Sequence, residues 1–238
     1  MPRFFKEFFK DSPVIQGADA LHIAKSLRMK VGETLTVCDT LGTDYLCEIT
    51  EISNNEIGLK ILSEEKNLTE PDAEVTLFQC LPKGDKMDTI VRQSVELGVK
   101  EIYPVLSTRC VSRPDAQSLK KKIARWQKIA DEAAMQSGRG IKPKVHDMVT
   151  VDEYCKKIND YSLSLFFYEL GGESLKTAVK KEKSVSVIVG SEGGFSHEEA
   201  EKIEKSGAKP VTLGKRILRC ETAPIAALTS VMLLSDNM

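Results

Sequence analysis

Two short stretches near the C-terminus concentrate the residue types that can do chemistry. In LGKRILRCETAPIAAL (213–228), Lys215, Arg216, Arg219 and Glu221 stand directly before an apolar run that reads as a helix. Thr222 fits an N-cap, and Pro224 fits the first turn, where its missing N–H costs nothing. Glu221 near a helix N-terminus is favoured by the dipole, which a cation opposes. Arg216 and Arg219 therefore need another explanation: an anionic partner, either Glu221 or a bound phosphate. In GSEGGFSHEEAEKI (190–203), Ser196 and Glu199 form a capping-box signature, worth about 1 kcal/mol and structural. The cap does not explain Gly190, Gly193 and Gly194 around Glu192. Glycines let a flat ligand approach the backbone closely. The phosphate-cradling pattern G-x-x-x-x-G-K-[ST] is absent, LPKGDKMD (81–88) also fails it, and Phe195 stands where a basic or hydroxyl residue would help. An adenosyl group without phosphate fits better.

The elements that must position these stretches follow from periodicity. ETLTVCD (33–39), DYLCEITEI (44–52) and EIGLKILSE (56–64) are short β signals separated by TLGT and SNN, with a short helix over DALHIAKSLRM (19–29) before them. This is a small β-barrel pattern. SEEKNLTEPDAE (63–74) is the natural linker, dividing the chain into domains 1–70 and 71–238. From residue 75 the rhythm becomes strand, helix, strand: strands over 75–81, 101–107, 162–170, 185–190 and 209–214, helices over 86–98 and 118–138, and a closing helix from Ala223. Nearly all-apolar strands alternating with helices predict a parallel α/β sheet. Both chemical stretches then lie at carboxyl ends of strands, the edge where ligands of open α/β sheets collect. Trp126, on the spacing Leu119, Ile123, Trp126, Ala130, is predicted to be core.

Six cysteines lie far apart with no CxxC pair, and three histidines show no ligand spacing, so reduced thiols and no metal are expected. No 18-residue apolar run provides a membrane span, and a cytoplasmic location is the default. Net charge is −1, but residues 83–144 carry 14 Lys and Arg against 7 Asp and Glu, a local +7, and residues 1–30 carry 6 against 3, a local +3. Two basic regions in an otherwise acidic chain suit a phosphate-facing surface.

Several segments in order resemble the RsmE family of SPOUT-type, S-adenosylmethionine-dependent methyltransferases acting on ribosomal RNA: PRFF, LRMKVGE (27–33), LPKGDKMDTIVRQSVELGV (81–99), RWQKIADEAAMQSGR (125–139), GSEGGFS and LGKRILRCETA. The resemblance implies an N-terminal PUA-like β-barrel for RNA and a C-terminal α/β domain tied in a deep trefoil knot. It further implies a homodimer, and methylation of N3 of a uridine in 16S ribosomal RNA, with the assembled 30S particle as substrate. The cofactor would be held by Tyr168, Glu169, Gly190, Ser191, Glu192, Gly193, Gly194, Leu213, Gly214, Ile217, Leu218, Arg219, Thr222 and Ala223. Ser191 departs from the proline common in the family. Arg219 or Arg216 would stabilise charge on the uracil oxygens, while Glu221 would accept the proton or orient Arg219. Cys220 invites a nucleophile reading, but substitution at N3 needs no covalent adduct and a packing role fits better. RNA contacts would come from Arg3, His22, Arg28, Lys83, Arg92, Arg109, Arg113, Arg125 and Arg139. The alternative is a non-catalytic RNA-binding or ribosome-assembly protein that keeps the fold.

Overall fold

The computed structural model describes residues 1–53 and 55–238; Asn54, in the expected SNN turn, lies outside them. The chain divides into two units: residues 1–70 with 134–142, and residues 71–133 with 143–238. The segment 134–142, placed with the second domain from sequence, thus clusters with the first.

The first unit contains β1 (Arg3–Phe5), β2 (Val14–Gln16), α1 (Ala18–Leu21), β3 (Thr34–Cys38), β4 (Thr43–Ile52) and β5 (Glu56–Lys66). The expected helix over 19–29 is α1 continued by a wide turn through Ser26. Strand order is β1-β3-β4-β5-β2, with only β1–β3 parallel. No ladder joins β1 to β2 among the described residues, so the five strands form one continuous sheet. Alternation along β3 and β4 turns Leu35, Val37, Tyr45, Cys47 and Ile49 into one core with Phe4, Phe9 and Ile23.

A polar network ties segment 134–142 into this unit. Arg3 grips Asp44 through both terminal nitrogens, at 2.9 and 2.5 Å, and donates to the Arg139 carbonyl at 2.9 Å. Asn67 donates to Asp44 and to the Gly138 carbonyl. Arg139, only 2% exposed, donates to both oxygens of Glu70 at 2.9 and 2.7 Å. Arg3 and Arg139 are therefore corrected from RNA contacts to internal structural groups, because their guanidinium donors are directed at carboxylates and carbonyls. His22 and Arg28 remain exposed.

The second unit carries β6 (Glu74–Cys80), α2 (Lys86–Glu96), β7 (Glu101–Leu106), α3 (Ala116–Gln136, whose last residues belong with the first unit), β8 (Lys144–Val145), β9 (Val149–Thr150), α4 (Val151–Lys157), β10 (Leu163–Phe167), β11 (Glu173–Ser174), α5 (Leu175–Ala178), β12 (Ser184–Val189), α6 (His197–Lys205), β13 (Lys209–Thr212) and α7 (Ala223–Leu234). The sheet runs β11-β13-β10-β12-β6-β7-β8, with β9 also on β7, and all its pairings are parallel. Every residue of β10 and nearly every residue of β6 and β12 is buried, as expected for strands covered on both faces. Trp126 is buried, its Nε1 donating to Asp88 at 3.1 Å. The exposed Arg125 is paired with the same Asp88.

Candidate active site

The strand order decides what meets. β12 and β13, which precede the two chemical stretches, are consecutive among the main strands of the chain but not neighbours in the sheet, because β10 lies between them. Tyr168 and Glu169, at the end of β10, therefore stand between the loop after β12 and the loop after β13. A cleft of about 590 Å3 opens there, at the carboxyl edge of the sheet.

The floor is the loop after β12. Gly194 adopts a left-handed φ of +61°, closing a tight turn in which its N–H donates to the Ser191 carbonyl at 3.0 Å. A Cβ at Gly194 would meet the Glu169 carboxylate, the movable end of an exposed side chain, so it is the left-handed conformation that favours glycine. Gln79, fully buried at the end of β6, donates to the Gly190 carbonyl at 3.2 Å. Arg109 donates to the Gly193 carbonyl at 3.2 Å. Phe195 is buried edge-on against Phe166, with ring centroids 5.1 Å apart, which anchors the loop to the core. The Ser196–Glu199 capping box then starts α6, as the sequence indicates.

The other wall is the loop after β13. Leu213, Gly214, Ile217, Leu218, Arg219 and Ala223 all line the cleft, as does Arg216. Ile217 is 86% exposed, and Arg216 and Arg219 are exposed without a side-chain partner among the described residues. Thr222 does not line the cleft, and its backbone is already helical, with no side-chain capping bond. It is therefore corrected as a hydrogen-bonded cap. Pro224 does occupy the first turn of α7.

Electrostatics centre on Lys86, a cleft-lining residue that sequence reasoning missed. Its ammonium lies 2.8 Å from Glu192 Oε1, 3.3 Å from Glu221 Oε2 and 3.5 Å from Cys220 Sγ. Lys86 is the first residue of α2, where a cation opposes the dipole. That conflict, used above for Arg216 and Arg219, was the available signal. The two carboxylates hold the lysine above its ordinary range. Burial pushes Glu192 up, but hydrogen bonds from Lys86, its own backbone N–H and the Lys83 N–H outweigh it and hold the carboxyl at about 2. Glu221 is lowered by its own backbone N–H and the Cys220 thiol, with Lys86 adding to the effect. It stands beside the cleft rather than on its wall. Burial first, then the neighbouring carboxylates, push the Cys220 thiol up to about 12, in keeping with packing rather than nucleophilic attack.

The basic residues expected at RNA divide. Lys83, Arg92, Arg109 and Arg113 are exposed. Arg113 also donates to the Ser107 and Thr108 carbonyls. No group of three or more His, Cys, Asp or Glu among the described residues is arranged to hold a metal, and no described helix is long and apolar enough to cross a membrane.

The cleft suits a flat, largely uncharged ligand with a polar edge. Glycine backbone forms its floor, Phe167, Val189 and Val211 close its base, and the buried Ser191 Oγ on its wall has no partner of its own. An adenosyl group fits this donor set. Comparison with known proteins places the fold in a class: residues 69–232 match the RNA methyltransferase domain, and residues 15–62 the RNA methyltransferase PUA domain. Among curated relatives, the ribosomal RNA small subunit methyltransferase E of Bacillus subtilis (strain 168) is 30% identical, covering 97% of this chain and 96% of its own. The enzyme of the same name from Buchnera aphidicola subsp. Schizaphis graminum is 33% identical, over 98% and 96%. The crystal structure of the Neisseria gonorrhoeae methyltransferase E bound to S-adenosylmethionine superposes with a TM-score of 0.88 at 32% identity, covering 98% of each chain. The chain belongs to the ribosomal RNA small subunit methyltransferase E family.

Proposed function

We propose that this protein methylates N3 of one uridine of 16S ribosomal RNA with S-adenosylmethionine, acting in the cytoplasm on the assembled 30S particle. The observation that carries the reading is the cleft itself: a glycine floor after β12 facing a wall on which Arg216 and Arg219 are exposed and uncommitted. When bound, the cofactor supplies an electrophilic methyl group on a sulfonium. Tyr168, Glu169, the 190–194 backbone and residues 213–219 would hold it, with the unpartnered Ser191 hydroxyl as a further donor.

Uracil N3–H is a weak acid, largely protonated at neutral pH. The protein must therefore stabilise negative charge spreading onto O2 and O4 as the proton leaves. Arg219, with Arg216 beside it, provides donors for that charge; removing such a donor costs on the order of 10² to 10³ in rate. Glu221, kept ionised by its surroundings, is a weak base and suits an orienting role better, so the N3 proton passes to bulk water as the methyl group leaves the sulfonium for N3. In this reading the N-terminal unit positions RNA through His22 and Arg28, and Lys83, Arg92, Arg109 and Arg113 contact phosphates, which fixes register rather than reading sequence. The same reading includes the family's knotted C-terminal segment and a homodimer.

The test is transfer of a tritiated methyl group to 30S particles and to free 16S RNA, with the product mapped by mass spectrometry. One labelled uridine carrying N3-methyl is expected. Cofactor binding without label on either RNA would sink the substrate assignment. RNA binding with no cofactor heat would establish the non-catalytic alternative.

A further inference from the structure

Lys86 reaches the cleft from a segment of the chain far from the two loops that form it. Its ammonium contacts one carboxylate on each: Glu192 at 2.8 Å, five residues before the start of α6, and Glu221 at 3.3 Å, just before α7. Its backbone neighbourhood contributes too, since the Lys83 N–H donates to both oxygens of Glu192 at 3.2 and 3.3 Å. A lysine in the first turn of a helix has no local reason to be there. Removed, it would leave two carboxylates sharing one small space with no counter-ion, and like charges so placed do not both stay ionised.

We propose that Lys86 is a positioning residue of the methyl-transfer site: by bridging Glu192 and Glu221 it holds the two cleft loops in register and keeps both carboxylates charged. This rests on the reading of the cleft as a cofactor site. It assigns Glu221 to the clamp rather than to proton removal, and leaves Arg219 free to act on the base undergoing substitution. The ion trio is partly exposed, with side-chain exposures of 37% for Lys86 and 28% for each carboxylate, so its effect is moderate but not negligible.

The experiment compares wild type with Lys86→Met and Lys86→Arg, and with Lys86→Met combined with Glu192→Gln. S-adenosylmethionine binding is followed by calorimetry from pH 5.5 to 8, with melting curves to confirm folding. Lys86→Met is expected to bind about tenfold more weakly, Lys86→Arg within about threefold of wild type. Binding by Lys86→Met should also become pH-dependent, because a carboxylate without its counter-ion titrates in that range, and adding Glu192→Gln should flatten the profile. Binding by Lys86→Met within twofold of wild type at every pH, or a loss that is pH-independent and not rescued by arginine, would overturn the proposal. Hydrogen exchange reads the loops without any cofactor: faster exchange at 190–194 and 219–222 in Lys86→Met is expected, and unchanged exchange counts against the clamp. If Lys86→Met does not fold, Lys86→Gln takes its place in all measurements. Wild type that binds cofactor yet labels no RNA defeats the substrate assignment and leaves these arms intact. Wild type that methylates RNA while Lys86→Met matches it defeats the clamp alone.

Discussion

Arginines in two regions of this molecule share a composition and differ in everything else. In the first unit, Arg3 and Arg139 are directed inward, each gripping a carboxylate with two donors and holding a chain segment in place. In the loop after β13, Arg216 and Arg219 project into solvent beside a cleft with no carboxylate or carbonyl engaged. All four looked equally available to RNA or substrate from the sequence. What separates them is whether the fold has already used their donors, and a guanidinium with satisfied donors has little left to offer a ligand.

The sharpest way to break this contrast is a double dissociation. Arg139→Ala should destabilise the protein by about 3 kcal/mol, because Glu70 loses its counter-ion and keeps only backbone N–H donors. The melting curve should fall by about 10 °C, with cofactor affinity of the surviving folded fraction unchanged. Arg219→Ala should do the reverse, lowering turnover by about 10² to 10³ with the melting temperature kept. If Arg219→Ala melts as early as Arg139→Ala, the two regions are not different in kind. Gly194→Val tests whether the cleft depends on its backbone rather than its cations: a strained φ and displacement of the Glu169 side chain from the cleft wall should weaken cofactor binding by about ten- to a hundredfold, read by calorimetry.

Acid titration extends the contrast to carboxylates. Glu192 has a folded pKa of about 2 against an ordinary 4.5. It therefore contributes stability that is complete above about pH 4.5 and lost as pH falls through 2. Glu192→Gln should show a shallower acid-stability slope than wild type in that window, and an unchanged slope would refute the pairing with Lys86. The smallest effect is expected from Ile217→Ala: being 86% exposed, this side chain should change folding stability of the monomer by less than about 0.5 kcal/mol.

Much of the architecture was legible because it rests on local periodicity. β3 to β5 alternate, β10 and β12 are almost wholly apolar, α2 repeats apolar residues every three or four positions, and α7 is a nearly unbroken apolar run. The two-residue strands β8, β9 and β11 were not legible, since no pattern can register in so short a span. Sheet order was not legible either; nothing local says that β10 separates β12 from β13, yet that placement brings Tyr168 and Glu169 between the loops. The glycine floor and the exposed arginines could be named in advance because they cluster in sequence. Lys86 could not be found by clustering, with Glu192 106 residues away. Arg139 was misread because the end of an amphipathic helix, seen locally, looks the same whether it meets water or Glu70.

Segment 134–142 has a consequence for how this protein can be divided. The first 70 residues include Glu70, whose carboxylate is satisfied by Arg139 and by the Gly140 N–H, as well as Asn67, whose amide donates to the Gly138 carbonyl. A fragment cut at the apparent linker would carry these groups without their partners and expose the surface that Met135 covers on the hydrophobic core. The N-terminal unit is thus not a portable module. It is completed only after nearly 60% of the chain has been made, so during synthesis the first unit must wait for residues 71–133 of the second.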